Sequence, residues 1–141
     1  MRTIVLLHGW AAALTFASGL HLAFWLPKRR IPPRGVALGF AVCLTALYVL
    51  GWTAYPQFRA DVRVPALQDP ATQWLANLFD VKEFLSVGAL FLGLAAALPS
   101  LFRKPLPEET KRPLQVAIWF VLAVILFNAV VGLILAGHKI L

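Results

Sequence analysis

Residues 3–26 read TIVLLHGWAAALTFASGLHLAFWL, a run of 24 residues without a formally charged side chain. About 20 apolar residues, each rising roughly 1.5 Å along a helix, cross a hydrocarbon core of roughly 30 Å. The run therefore predicts a membrane-spanning helix. It also carries two of the chain's three histidines, His8 and His21. Because an imidazole at membrane depth is uncommon and needs a partner, these residues are the first candidates for function.

The composition of the 141-residue chain is that of an integral membrane protein. Hydrophobic residues make up 60% of the sequence and charged residues 13%, whereas a soluble domain averages about 25% charged residues. The net charge of +7 comes mostly from two short clusters between apolar runs, so it does not indicate binding to nucleic acid. The single cysteine, Cys43, excludes an internal disulfide and a cysteine-based metal site.

Four apolar runs predict an all-α integral membrane protein with a single transmembrane four-helix domain over residues 1–141. The runs cover about 3–26, 36–55, 84–102 and 113–137. Because lipid offers the backbone no hydrogen bonds, each run is expected to be helical. Pro56 is expected to close the second helix, and Pro113 to open the fourth at its first position.

Residues 56–83 differ from these runs because they mix charged residues, prolines and aromatic residues. Asp69 and Pro70 are typical of a helix N-cap followed by proline at the first helical position. The apolar residues that follow share one helical face. They are Trp74, Leu75, Leu78 and Phe79. The segment therefore predicts a short amphipathic helix over about 70–79 that lies at the membrane interface or runs directly into the third span.

The distribution of basic residues predicts the orientation of the chain. Residues 27–35 and 103–112 hold eight lysines and arginines, and the opposite side of the membrane would hold five. Loops rich in positive charge tend to stay in the cytoplasm. The chain is therefore expected in the inner (cytoplasmic) membrane as a multi-pass protein. Both termini and the segment 56–83 would then lie outside the cytoplasm.

His8 and His138 are candidate axial ligands of the iron of a haem b. In a protein with four spans both termini lie on one side, so His138 is expected near the membrane level of His8. Arg59 and Arg63 on the same side are candidate partners of the haem propionates. Structural roles stay open for both histidines. His138 would then be solvated at the interface, and His8 would hydrogen-bond to a neighbouring helix.

His21 ends a stripe of small residues on the first helix. Gly9, Ala13 and Ala17 precede it at intervals of four residues, and such stripes allow close helix packing. We therefore expect His21 to face another helix, where it forms an interhelical hydrogen bond, ligates a tetrapyrrole or binds a quinone. Its angular offset of roughly 140° from His8, at about 100° per residue, argues against two haems held by this one helix.

Lys82 and Glu83 stand at the mouth of the third span, directly before Phe84. A carboxylate at the bilayer edge can take up the protons of a quinol while a cationic side chain holds a carbonyl oxygen. The pair is therefore a candidate quinone site. The alternative is a solvated collar of weak ion pairs with the neighbouring charged residues.

Two further features predict contacts between helices. Asn128 is the one strongly polar residue midway along the fourth run, and such residues usually hydrogen-bond across helices. Gly35 and Gly39 form a GxxxG motif, which is typical of a tight helix pair within a chain or between subunits.

The sequence favours a small integral membrane subunit of a larger respiratory or other electron-transfer complex. Haem b and a quinone are its candidate cofactors, and such a subunit would not be a catalyst on its own. Its partners would be the lipid bilayer and other membrane subunits of the complex. The alternative is a cofactor-free subunit that scaffolds a membrane complex. The spans contain no chain of charged residues and no obvious repeat, which argues against a self-contained transporter.

Overall fold

The computed structural model describes residues 2–28, 34–102 and 106–138, and none of these residues is in a strand. The helices are α1 Arg2–Trp25, α2 Arg34–Phe58, α3 Val64–Gln68, α4 Gln73–Leu101 and α5 Glu108–His138. A π-helical turn, Arg59–Arg63, joins α2 to α3 without a break. Four helical stretches in the described residues are long and apolar enough to cross a membrane, which confirms the number of helices predicted from the sequence.

The four long helices form a bundle in which each helix packs beside two others. Helix α1 contacts α2 and α5, and α4 completes the ring because it also contacts α2 and α5. We call the end that carries the connections from α1 to α2 and from α4 to α5 the loop end. The opposite end, with the start of α1, the end of α5 and the π-helical turn, is the terminal end.

Two clusters of buried apolar side chains fill the bundle. The loop-end core is formed by α1, α2, α4 and α5, and Leu22 and Phe40 are among its fully buried members. The terminal-end core is formed by the π-helical turn, α3, α4 and α5, and it includes Val62, Phe79 and Leu135. Helices in lipid associate through close packing of this kind because lipid tails are as apolar as the side chains themselves.

Pro56 and Pro113 neither end nor begin a helix, so the sequence prediction for both is wrong. Helix α2 continues through Pro56 into the π-helical turn, and α5 begins before Pro113, at Glu108. A proline removes one backbone N–H and its hydrogen bond, a loss that membrane helices tolerate because neighbouring groups adjust. Two glutamates in the first turn of α5 favour its early start, since carboxylates interact well with a helix N-terminus.

The predicted amphipathic helix over 70–79 is not a separate element. Its residues from Gln73 onward are the first turns of α4, which corresponds to the continuous form of the prediction. The N-cap position is occupied by Thr72, not by Asp69. The carboxylate of Asp69 instead accepts a hydrogen bond from the backbone N–H of Ala71 at 2.9 Å, so it caps the turn that precedes the helix.

Several hydroxyl groups in the long helices are satisfied within their own helix. Thr15 donates to the carbonyl oxygen of Ala11 at 2.6 Å, and Thr45 donates to that of Ala41 at 2.8 Å. Ser18, Thr53 and Ser86 form bonds of the same kind. Because an unpaired hydroxyl in an apolar medium is costly, this pattern lets these helices carry polar residues without a partner helix.

One glycine of α1 permits the close approach of three helices in the loop-end core. A Cβ atom at Gly19 would lie 2.8 Å from Cδ2 of Leu122 and 2.9 Å from Cε2 of Phe40. Cβ atoms at Gly35 and Gly39 would meet nothing within 4 Å. The GxxxG motif therefore does not pack tightly against the described residues of this chain.

Gly19→Ala is expected to destabilise the bundle because Leu122 and Phe40 are buried and have little room to move. Adding one methyl group to a packed core typically costs about 1–3 kcal/mol. Gly9→Ala on the same helix is the matched control, since a Cβ there meets nothing within 4 Å. Thermal unfolding of the purified protein in mild detergent measures both variants. Equal midpoints would contradict the packing described above.

Candidate functional site

Five partly buried polar side chains lie where the two cores meet, and we call them the polar layer. They are His8 of α1, Lys82, Glu83 and Ser86 of α4, and Asn128 of α5. Along α4 the layer falls between Phe79 of the terminal-end core and Ala89 of the loop-end core. Polar and ionisable groups at this position in a membrane protein commonly mark a binding site or a proton path.

His8 packs against a glycine of the neighbouring helix. A Cβ atom at Gly51 of α2 would lie 3.2 Å from Cε1 of His8, so the absence of a side chain lets the imidazole approach the α2 backbone. The Nδ1 atom of His8 is buried and forms no hydrogen bond with the described residues, although the backbone of Leu47 on α2 acts on the imidazole as a hydrogen-bond partner. A buried polar atom without a partner costs about 1–3 kcal/mol. A ligand that hydrogen-bonds to this atom would recover that free energy.

Lys82 lies within electrostatic range of His8 and borders aromatic side chains. Its ammonium group is 5.5 Å from the ring centroid of Phe58 and 5.9 Å from that of Phe79. A cation over an aromatic face gains about 0.5–2 kcal/mol at such distances. Glu83 acts on the ammonium group electrostatically, but no described side chain forms an ion pair with it. Lys82 is therefore a strong donor to which the described side chains present no charged acceptor.

A stack of aromatic rings extends from this cation along α2. Phe58 and Tyr55 each stack on Phe79 of α4, with centroid separations of 5.8 and 5.9 Å. Tyr55 stacks on Trp52 at 6.2 Å, and Trp52 stacks on Tyr48 at 6.4 Å. Trp52 is exposed, and with Tyr48 it lines a shallow groove on the surface of the bundle. The stack thus connects the rings around Lys82 with the outer face of α2.

Asn128 is hydrogen-bonded to the helix that carries Lys82. Its Nδ2 atom donates to Oγ of Ser86 at 2.8 Å, and the Ser86 hydroxyl donates to the carbonyl oxygen of Lys82 at 2.8 Å. The predicted interhelical hydrogen bond of Asn128 is therefore confirmed. Its partner Ser86 was not predicted, because a lone serine in an apolar run carries no distinctive signal. The Oδ1 atom of Asn128 is buried without a partner among the described residues.

Arg63 and Asp80 form a two-point ion pair at the terminal end. The Nε and Nη2 atoms of Arg63 donate to Oδ1 and Oδ2 of Asp80 at 2.8 and 3.0 Å. The pair ties the π-helical turn to α4. It also engages the guanidinium group that the sequence assigned to a haem propionate. Arg59 is exposed and acts on Asp80 electrostatically.

The pair lies between two apolar runs of the sequence, since the second run ends at Tyr55 and the third begins at Phe84. Hydrogen bonds from the Arg63 guanidinium hold the pKa of Asp80 below its ordinary value. Such a carboxylate stabilises the folded chain above the unfolded-state pKa of about 3.9, and its contribution disappears as the pH falls through the folded-state pKa.

Asp80→Asn is therefore expected to lower the unfolding midpoint slightly at neutral pH, since the pair is exposed. The variant and the unchanged protein should converge in acid, where Asp80 becomes protonated. Thermal unfolding between about pH 7 and about pH 3 measures the difference. A difference that does not vary with pH would contradict the assignment.

The other two histidines occupy different positions. His21 lies on the exposed face of α1 and stacks on Trp25 with a centroid separation of 5.3 Å. The three small residues that precede it in its stripe are exposed as well, so the expected contact with another helix is not seen among the described residues. His138 is the last residue of α5, and its side chain lies outside the described part of the chain. Its pairing with His8 therefore stays a prediction.

The chemistry that the polar layer offers is hydrogen bonding and proton exchange. No group of three or more histidine, cysteine, aspartate or glutamate side chains that could hold a metal ion occurs in the described ranges. A haem iron needs only two axial ligands, so this finding does not bear on the haem hypothesis. Three residues of the layer, His8, Lys82 and Glu83, are site residues predicted from the sequence; Lys82 and Glu83 are adjacent on α4, and Lys82 acts electrostatically on His8.

Comparison with protein-family models, with curated proteins and with solved structures found no match to this chain. Its class therefore follows from its own fold. Four helices long and apolar enough to cross a membrane indicate a multi-pass α-helical membrane protein. Within that class, the polar layer is the feature that requires a functional explanation.

Gly51→Ala is expected to displace the imidazole of His8, because the new Cβ would lie only 3.2 Å from Cε1. NMR of protein labelled at histidine should show shifted His8 ring resonances and unchanged His21 resonances. Gly39→Ala, also on α2, is the control, since a Cβ there meets nothing within 4 Å. Unchanged His8 resonances in Gly51→Ala would show that the ring does not pack against this glycine.

Proposed function

We propose that the chain is a small membrane subunit of a respiratory or other electron-transfer complex, and that its polar layer binds the head group of a quinone. One observation carries the proposal. Lys82, a donor without an ion-pair partner among the described side chains, acts electrostatically on His8, whose buried Nδ1 forms no hydrogen bond with the described residues. A quinone can supply hydrogen-bond partners to both groups, because it is an apolar ring that carries two oxygen atoms.

Each side of the layer suits one part of such a ligand. The ammonium group of Lys82 donates to a carbonyl oxygen. The imidazole of His8 donates or accepts at Nδ1 according to its tautomer, so it serves the oxidised and the reduced form alike. Phe58 and Phe79, which lie beside the ammonium group, provide apolar surface against which the quinone ring packs. The apolar tail of the quinone remains in the surrounding lipid.

Reduction of a quinone to a quinol takes up two electrons and two protons. The electrons come from a redox centre in a partner subunit, which is why the chain is not a catalyst on its own. Glu83, partly buried next to Lys82, supplies one proton, and His8 supplies the other. With the basic loops in the cytoplasm, the layer lies nearer the outer face of the cytoplasmic membrane. Protons are then exchanged with the outside.

Haem b is the second candidate ligand of the same layer. The unpartnered Nδ1 of His8 suits an axial ligand of iron, with His138 on α5 as the second ligand. Arg59 is the better candidate for a propionate, because the guanidinium group of Arg63 is engaged by Asp80. A visible spectrum separates the two ligands, since only haem absorbs strongly there.

A cofactor-free scaffold is the alternative function. The outward stripe of Gly9, Ala13 and Ala17 on α1 favours contact with a helix of another subunit, because small residues let helix backbones approach. Either function makes the chain a partner of other membrane subunits within the lipid bilayer and not of nucleic acid. In this arrangement α3 and the first turns of α4 lie at the outer membrane interface.

Quinone binding tests the proposal. Equilibrium dialysis of a decyl-substituted benzoquinone against the purified protein in mild detergent should give a saturable affinity. We expect Lys82→Met and His8→Gln each to weaken it about tenfold, the loss of one hydrogen bond to a buried polar group. Lys28→Met and His21→Gln are the matched controls, because both residues are exposed. Equal affinities in all four variants would overturn the proposed site.

A reduced-minus-oxidised visible spectrum of the protein with its native partners tests the second ligand. A haem b signal assigned to this chain and lost in His8→Gln but not in His21→Gln would replace the quinone by haem. A colourless protein that binds no quinone would leave the scaffold as its function.

A further inference from the structure

We infer that Asn128 makes the proposed site selective for the quinol, the reduced form that carries two hydroxyl groups. The buried Oδ1 atom of Asn128 has no partner among the described residues, and it accepts a hydrogen bond from one of these hydroxyls. The inference rests on the proposed quinone site and adds the oxidation state that the site prefers.

Hydrogen bonds determine which atom of the Asn128 carboxamide lacks a partner. The Ser86 hydroxyl donates its only proton to the carbonyl oxygen of Lys82 at 2.8 Å. Its oxygen can then only accept, so the atom of Asn128 at 2.8 Å from it must be the donor Nδ2. Exchanging the two carboxamide atoms would require the Ser86 hydroxyl to turn away from the carbonyl oxygen of Lys82 and donate to Asn128 instead. The unpartnered atom is therefore an acceptor, and it requires a donor.

The position of this acceptor fits the second oxygen of the same ligand. Lys82 and Ser86 are four residues apart on one face of α4, which separates them by about 6 Å along the helix axis. That spacing is comparable to the distance between the two oxygens across a quinone ring. One oxygen then lies near Lys82 and His8, and the other near the carboxamide that Ser86 orients.

Only the reduced ligand satisfies the whole layer. A quinone carries acceptor oxygens alone, so its second oxygen would face the Oδ1 acceptor of Asn128. A quinol donates one hydroxyl proton to Oδ1 of Asn128 and the other to Nδ1 of His8 in the tautomer that carries its proton on Nε2. A water molecule is the other source of an O–H donor for Asn128, and the experiment below distinguishes the two.

Oxygen-free equilibrium dialysis of tetramethyl hydroquinone and of tetramethyl benzoquinone, with the protein in mild detergent, tests the inference. The double variant Lys82→Met with His8→Gln serves as the blank for partition into detergent. We expect the quinol to bind about tenfold more tightly than the quinone, the effect of one hydrogen bond gained and one repulsive contact avoided. In Asn128→Leu the ratio of the two affinities should fall to about one.

Ser86→Ala provides a second variant, because it frees the carboxamide to rotate and should also reduce the ratio. Val130→Leu on the exposed face of α5 is the control and should keep the ratio. Two outcomes overturn the inference and assign water as the donor. Either the unchanged protein binds quinol and quinone equally well, or its preference for the quinol persists in both Asn128→Leu and Ser86→Ala. Binding of neither compound above the blank overturns the quinone site itself, and the inference with it.

Discussion

Hydrocarbon supplies no hydrogen bonds, and this constraint governs how the chain treats its polar groups. The hydroxyls of Thr15 and Thr45 bond back to their own helices, and the described backbone stays helical through its internal prolines. Against this background the few buried side-chain atoms without partners stand out. Two of them, on His8 and Asn128, belong to the same layer of the bundle. Because hydrocarbon forms no hydrogen bonds with such atoms, a ligand that hydrogen-bonds to them gains the most free energy by binding.

The positions of the four spans follow from the sequence because length and hydropathy alone decide whether a segment can cross a bilayer. Their ends do not, since a membrane helix tolerates prolines such as Pro56 that would stop a helix in water. Individual residues of the candidate site could be predicted from the sequence, but their arrangement in space could not. His8 is conspicuous because histidine is rare in an apolar run, and Lys82 because it stands beside Glu83 at the start of one, whereas their relative position depends on how each helix is rotated. Gly51 lets the imidazole of His8 approach α2, and a single glycine in an apolar run carries no distinctive signal.

The polar layer lies between the two apolar cores of the bundle. Well-packed apolar residues would stabilise the junction of the two cores at least as well, because a buried charge must overcome its desolvation. The layer instead keeps an ammonium group beside the stacked rings of Phe58 and Phe79 and an asparagine whose amide is held by a serine. Groups that cost stability and are oriented by their neighbours are what a binding site requires. The polar layer differs in this respect from the Arg63–Asp80 pair, which is exposed and connects the π-helical turn to α4.

The π-helical turn Arg59–Arg63 contains one residue more than an α-helical turn. That residue rotates the continuing helix by about 100° relative to an uninterrupted α-helix. Its rotation directs Arg63 toward α4 and places Val62 in the terminal-end core. Loss of a single residue here would turn α3 to present a different side to α4. Because much of the surrounding surface is exposed, this stretch should tolerate substitutions far better than changes in its length. A deletion here in a homologue would therefore indicate a different arrangement of the terminal end.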